Sequence, residues 1–147
     1  STSTGNVLEG GRGDDTLYGS YSADTYIFNL GDGHDTIVET GSYSNVTDVL
    51  RFGEGLAPES LWLKRGGNDL EILFMGSEDR VTISNWYAGS AHRVEAFQAA
   101  TGVALTESRV QNLVDAMAAF GAPAGGEINL TQAQRDQLNV AIAANWQ

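Results

Sequence analysis

The chain has no cysteine among its 147 residues, which removes disulfides, thiolate zinc sites and cysteine nucleophiles together. Basic residues are scarce: 8 Lys and Arg stand against 19 Asp and Glu, a formal charge of -11. Nucleic acid and anionic membrane surfaces both need a basic patch, so neither is an expected partner. No run approaches the ~18 consecutive apolar residues of a spanning helix, so stable membrane insertion is not expected either. The opening residues Ser1 to Gly5 carry neither a basic nor an apolar stretch, so no cleaved N-terminal signal is expected in this sequence. There are two histidines, His34 and His92, and neither sits in a motif that supplies a nucleophile and an orienting acid. The expectation is a protein that is not an enzyme. Hydrophobic residues make up 41% of the chain, enough for a core. What is abundant is glycine: 18 residues, and these concentrate near the N-terminus.

Written in nines from Gly10, the chain repeats. GGRGDDTLY at 10–18 satisfies G-G-x-G-x-D-x-U-x, with U a large apolar residue, at every specified place. GSYSADTYI at 19–27 keeps the first glycine, Asp24 and Tyr26, and STSTGNVLE at 1–9 keeps Asn6 and Leu8. After a slip of two residues, Phe28 and Asn29, LGDGHDTIV at 30–38 recovers Gly31, Gly33, Asp35 and Ile37. Each unit reads as a six-residue turn followed by a short strand. Glycines permit the positive φ of a tight turn, the apolar residue faces a core, and the Asp ends the turn. Carbonyls plus carboxylates form a hard-oxygen ligand set, which suits calcium rather than zinc. An EF-hand reading of Asp32-Gly33…Glu39 fails, because its first and third places would be Phe28 and Leu30, which cannot ligate. His34 reads as a variable, solvent-facing loop residue.

These units, GGRGDDTLY above all, resemble the haemolysin-type calcium-binding repeats of the RTX family. The resemblance implies a parallel β-roll with calcium held between turns n and n+2. Loop Gly10–Asp15 would then stack on loop Leu30–Asp35. The implied ligands are the carbonyls of Gly10, Arg12, Gly31 and Gly33 and the carboxylates of Asp15 and Asp35. Loop 19–24 would face 1–6 and give a second, poorer site using Asp24 and Asn6, since Ser20 and Ser22 replace glycines there.

From about 48 to 98 the pattern is of strands. Asp48–Phe52 leads into a turn at Gly53-Glu54-Gly55; Leu61–Arg65 and Asp69–Phe74 flank Gly66-Gly67-Asn68 as a hairpin; Arg80–Tyr87 and Val94–Phe97 follow. The run DVLRFGEGL…LWLKRGGNDLEILFMG…DRVTISNWY resembles the haemolysin-type calcium-binding-related region that follows the last RTX repeats in large secreted bacterial proteins. That resemblance implies a cap on the open end of the roll. Beyond it, Val110, Leu113, Val114, Met117 and Ala118 mark an amphipathic helix over 108–120. A linker at 121–126 precedes a second helix, opened by a Thr131/Gln134 capping box and striped by Leu138, Ala141 and Ile142. The last eleven residues, Gln137–Gln147, are free of side-chain charge and resemble the uncleaved C-terminal signal of type I secretion substrates.

The reading is a mainly β protein: a short parallel β-roll of nonapeptide repeats at 1–40, a β-rich cap at 41–100 and a helical segment with a secretion signal at 101–147. It would be the calcium-binding C-terminal module of a larger secreted protein. Its partners would be calcium and a type I machinery of ABC transporter, adaptor and outer-membrane channel, in a Gram-negative bacterium by resemblance. Seven acids against Arg12 leave six net negative charges in residues 1–40, so the turns repel without metal. Folding would await extracellular calcium. The alternative is an adhesive or carbohydrate-binding module using Trp62, Trp86 and Tyr87, which requires those rings to be exposed.

Overall fold

A computed structural model of the chain describes residues 7–19, 23–39, 47–74, 77–89, 92–119 and 131–147. Four short strands fall where the nonapeptide pattern predicts them: β1 (Val7–Glu9), β2 (Thr16–Tyr18), β3 (Thr25–Phe28) and β4 (His34–Val38). They do not pair with their neighbours in sequence. β1 pairs with β3 and β2 with β4, all parallel, so successive strands alternate between two sheets. The β2–β4 pair leaves loop 10–15 stacked on loop 29–33.

The later strands continue the same two sheets. These are β5 (Val49–Phe52), β6 (Leu61–Gly66), β7 (Asp69–Phe74), β8 (Arg80–Ile83), β9 (Ala96–Gln98) and β10 (Ala104–Thr106). One sheet has the order β1-β3-β5-β9-β10 and the other β2-β4-β8-β7-β6. Both are mixed: the strands are parallel up to β9 and β8, then antiparallel at β10 and along the β6–β7 hairpin. Both sheets therefore run across residue 40, the expected boundary between repeats and cap.

Register explains the core. In the first sheet Leu8, Tyr26, Leu50, Phe97 and Leu105 form one column, and in the second Leu17, Ile37, Ile83 and Leu70 do the same. Alternation places every member of a column on the same face. From Tyr26 and Ile37 onward each is fully buried, whereas Leu8 and Leu17 are only partly covered. Phe28 stacks on Phe74 at 4.9 Å between ring centroids, which ties the two sheets together.

Two expectations are corrected here, and one strand is new. Arg80–Tyr87 is not one strand: β8 stops at Ile83, and Asn85, at φ 58, leads into a single 3-10 turn at Trp86–Ala88. β10 was not foreseen, because three residues are too few to display an alternation. The aromatic platform does not exist either. Trp62 is 1% and Trp86 2% exposed, and the half-buried Tyr87 lies under the Arg65 guanidinium at 4.3 Å. Trp62 and Trp86 belong to the core, so the exposed aromatic face that the adhesive or carbohydrate-binding alternative requires is not there.

Both C-terminal helices are docked. α1 (Glu107–Ala118) buries Val110, Leu113, Val114 and Met117, and the Met117 sulfur accepts the Leu63 N–H of edge strand β6 at 3.0 Å. α2 (Gln132–Asn145) opens on the expected capping box at Thr131 and Gln134 and buries Leu138 and Ile142. Trp146 follows into the core beside Phe52, and the Gln147 N–H bonds to the Ala104 carbonyl at 2.8 Å. The expected linker at 121–126 lies outside the described residues. Among the described residues no helix is long and apolar enough to cross a membrane.

Candidate metal centre

The chemistry sits where loops stack. Loop 10–15 connects β1 to β2, and loop 29–33 connects β3 to β4. Because β2 and β4 pair in parallel, the two loops lie one above the other. Gly11, Gly13, Gly31 and Gly33 all have φ between 73° and 102°, the left-handed conformation that glycine alone adopts without strain. The stacking is close: a Cβ on Gly33 would come within 2.8 Å of the Gly13 carbonyl oxygen.

Hydrogen bonds pin this stack. The Asp15 N–H donates to Asp35 Oδ1 at 3.1 Å, the His34 N–H to Asp14 Oδ1 at 3.2 Å, and the Thr36 N–H to the Asp15 carbonyl at 2.8 Å. Asp15 Oδ2 and Asp35 Oδ2 are both buried, and neither has a hydrogen-bond partner among the described residues. A buried, unsatisfied carboxylate oxygen is costly unless something positive meets it. Burial first, and then the charges of Asp15, Asp32 and Asp14, push the Asp35 carboxyl up to about 6, although the Asp15 N–H opposes the shift. The donor set is all oxygen and anionic, so it fits a hard cation.

The residues singled out from sequence fall as follows. Gly10 lies against Asp15: a Cβ there would meet the Asp15 Cβ and Oδ2 at 2.7 Å, so only glycine leaves the carboxylate room. Arg12 is exposed in the same loop. Gly31 and Gly33 donate their N–H groups to Asp79, at 2.7 and 3.1 Å, and the Gly33 carbonyl accepts the Arg80 N–H at 2.9 Å. Asp15 and Asp35 are brought together, as described. Asp24 is 1% exposed and belongs to a separate cluster in the other sheet. Asn6 lies outside the described residues. His34 is exposed, with Nε2 2.6 Å from the Glu78 carbonyl oxygen.

Around Asp24 the same device recurs with different partners. The Asp24 N–H donates to Asp48 Oδ1 at 2.8 Å, and the Asp48 N–H donates to Glu95 Oε1 at 2.7 Å. Asp24, Glu39 and Asp48 each offer an oxygen, and these all lie within 4.8 Å of one another. The Tyr26 hydroxyl donates to Glu39 Oε1. Burial is the main reason that Glu39 is pushed up to about 8, with the charges of Asp48, Asp24 and Glu95 adding to it. Asp48 and Glu95 are raised as well, again chiefly by burial, and so is the Tyr26 hydroxyl.

Glu39, Asp48, Asp79 and Glu95 were not read as site residues from the sequence. Glu39 carried a usable signal, since it stands nine places after Leu30, in the phase of Gly10 and Gly19. Asp48, Asp79 and Glu95 lie outside the nonapeptide phase, and only the parallel registers β3–β5–β9 and β4–β8 bring them to the loops.

Residues 69–109 match the family model described as the haemolysin-type calcium binding protein related domain. That stretch holds β7 to β10, Asp79 and Glu95, so the resemblance drawn from the run ending in DRVTISNWY holds there. A relative, the iron-regulated protein FrpA of Neisseria meningitidis serogroup C, is 30% identical over 93 residues, which is 61% of this chain. The chain spans about 8% of the length of that relative.

Proposed function

We propose that this chain is a calcium-binding module of the RTX type, the terminal part of a larger secreted or surface protein, with no catalytic activity of its own. The observation that carries the reading is the stacked pair of glycine loops with its two orphaned oxygens, Asp15 Oδ2 and Asp35 Oδ2. In this reading β1 to β5 are a short β-roll, and the segment from β6 onward closes its far end. Asp15 and Asp35 would hold the ion together with loop carbonyls, among which those of Gly10, Arg12, Gly31 and Gly33 remain the candidates. The ion supplies the positive charge that this acidic stack lacks.

The mechanism is a folding switch. Without metal, buried carboxylates oppose stacking of the loops. Binding to the folded form alone stabilises it by mass action, and extracellular sites of this kind fill at roughly 10⁻⁴–10⁻³ M calcium. A chain unfolded at cytosolic calcium and folded outside suits export by a type I machinery of ABC transporter, adaptor and outer-membrane channel. The uncharged stretch Gln137–Gln147 is the segment we assign to that machinery; its docking through Leu138, Ile142 and Trp146 would follow export. The large size of the FrpA relative supports a module within a longer protein.

The test is a calcium titration of EDTA-treated protein followed by circular dichroism, with magnesium as control. The expected result is a cooperative gain of β signal between about 0.1 and 10 mM calcium, displaced upward in Asp15→Ala and Asp35→Ala. A metal-free chain that is already fully folded and indifferent to calcium would overturn the proposal.

A further inference from the structure

The sequence pattern makes the Asp24 region the poorer of two sites; the carboxylates gathered around Asp24 argue for the opposite order. We infer that Asp24, Glu39 and Asp48 form a second calcium site in which Glu39, a residue outside the repeat consensus, is a direct ligand, and that this site binds more tightly than the Asp15/Asp35 stack. The inference rests on the calcium reading above and deepens it.

Four observations carry it. First, three carboxylates converge here, against the Asp15/Asp35 pair of the other stack, and their oxygens lie within 4.8 Å of one another. Oxygens bound to one calcium at 2.3–2.6 Å lie at most about 5 Å apart, so one ion can reach all three. Second, Glu39 is 1% and Asp48 0% exposed, and Glu39 Oε2 and Asp48 Oδ2 have no hydrogen-bond partner among the described residues. Third, neither ion pair found among the described residues, Arg80–Glu71 or Arg93–Glu107, involves Glu39 or Asp48. Water does not solvate these carboxylates, and among the described residues no side-chain cation pairs with them.

Fourth, both acids are held in place from outside. Gly19, one tier away, leaves room for Glu39: its N–H bonds to the Val38 carbonyl at 3.0 Å, and a Cβ on it would collide with Glu39 Oε1 and the Tyr26 hydroxyl. His92 Nδ1 lies 2.7 Å from the Glu39 carbonyl oxygen, and Glu95 accepts the Asp48 N–H. His92 and Glu95 belong to the stretch that matches the family model. They are positioning residues, and through them this site is completed only when the later segment has packed onto the repeats. Preorganised ligands lose less entropy on binding, which together with the third carboxylate favours the higher affinity.

The experiment is isothermal titration of calcium into the full chain, with thermal melts with and without calcium, for wild type, Glu39→Gln, Asp48→Asn and Asp35→Asn. Glutamine keeps an acceptor for Tyr26, and asparagine at 48 keeps one for the Asp24 N–H. Glu39→Gln and Asp48→Asn are each expected to weaken the tighter binding step at least tenfold. At pH 8.5, where Glu39 is ionised, the same two changes should raise the metal-free melting temperature and shrink its gain with calcium. Asp35→Asn should weaken only the looser step. A purely structural role for Glu39 predicts instead that both melting temperatures fall together. Unchanged binding steps in Glu39→Gln, or a parallel fall in both melts, overturns this inference and leaves the calcium module intact. A wild-type chain that binds no calcium overturns the proposed function itself.

Discussion

Acid should stabilise the metal-free protein and calcium should reverse that preference. Glu39 and Asp35 are the residues to follow. Their folded-state carboxyls are pushed up to about 8 and about 6, from ordinary values of 4.5 and 3.8, chiefly by burial. A group raised on folding holds its proton more tightly in the native state. Its stabilising contribution is complete below the unfolded value and is lost as pH climbs through the folded one. Between pH 5 and pH 8 Glu39 crosses about three units and Asp35 about one. At about 1.4 kcal/mol per unit this bounds the loss at about 5 kcal/mol. Relaxation and water penetration around buried charges bring a realistic figure nearer 3 kcal/mol. For a chain of this length about 0.3 kcal/mol shifts the melting temperature by one degree, so the metal-free midpoint should fall by roughly 10 °C. The assay is differential scanning calorimetry in EDTA at pH 5, 6, 7 and 8, repeated in saturating calcium. With calcium the trend should flatten or invert, because the ion needs the deprotonated carboxylates. A metal-free midpoint that stays level or rises from pH 5 to pH 8 would refute the reasoning.

Two further outcomes test the scaffold around the sites. Gly33→Ala should cost more than Gly67→Ala in urea unfolding with calcium present: both have positive φ, worth about 1–2 kcal/mol to an alanine, but only at Gly33 does the new Cβ meet backbone, the Gly13 carbonyl. Equal losses at the two positions would mean that the loops are not stacked as described. Trp146→Ala should destabilise the chain by about 3–5 kcal/mol, since Trp146 is 5% exposed and closes the α2 side of the core against Phe52. An unchanged urea midpoint would mean that the C-terminal helix is not part of the folded unit.

Legibility in the sequence follows the range of the interaction. Repeat phase put Leu8, Leu17, Tyr26 and Ile37 on inward faces, because strand alternation and glycine turns are local rules that a short window displays. Hairpin β6–β7 and the Thr131/Gln134 cap were legible for the same reason. The pairing of loop Gly10–Asp15 with loop Leu30–Asp35 came from the family resemblance rather than from the phase. By itself the sequence thus determined the short strands, the turns, the anionic oxygen-rich character and the resemblance carried by the run from DVLRFGEGL to DRVTISNWY. Tertiary structure alone decided that Trp62 and Trp86 are core, since an aromatic residue at a strand position reads alike whether solvent or a helix covers it. It decided, too, that β8 and β9 join the repeat sheets, which carries Asp79 under Gly31 and Gly33 and Glu95 under Asp48. Those partners stand 46 to 48 residues apart along the chain. Acids so far apart become one electrostatic unit only when parallel register stacks their tiers, and no local pattern encodes that.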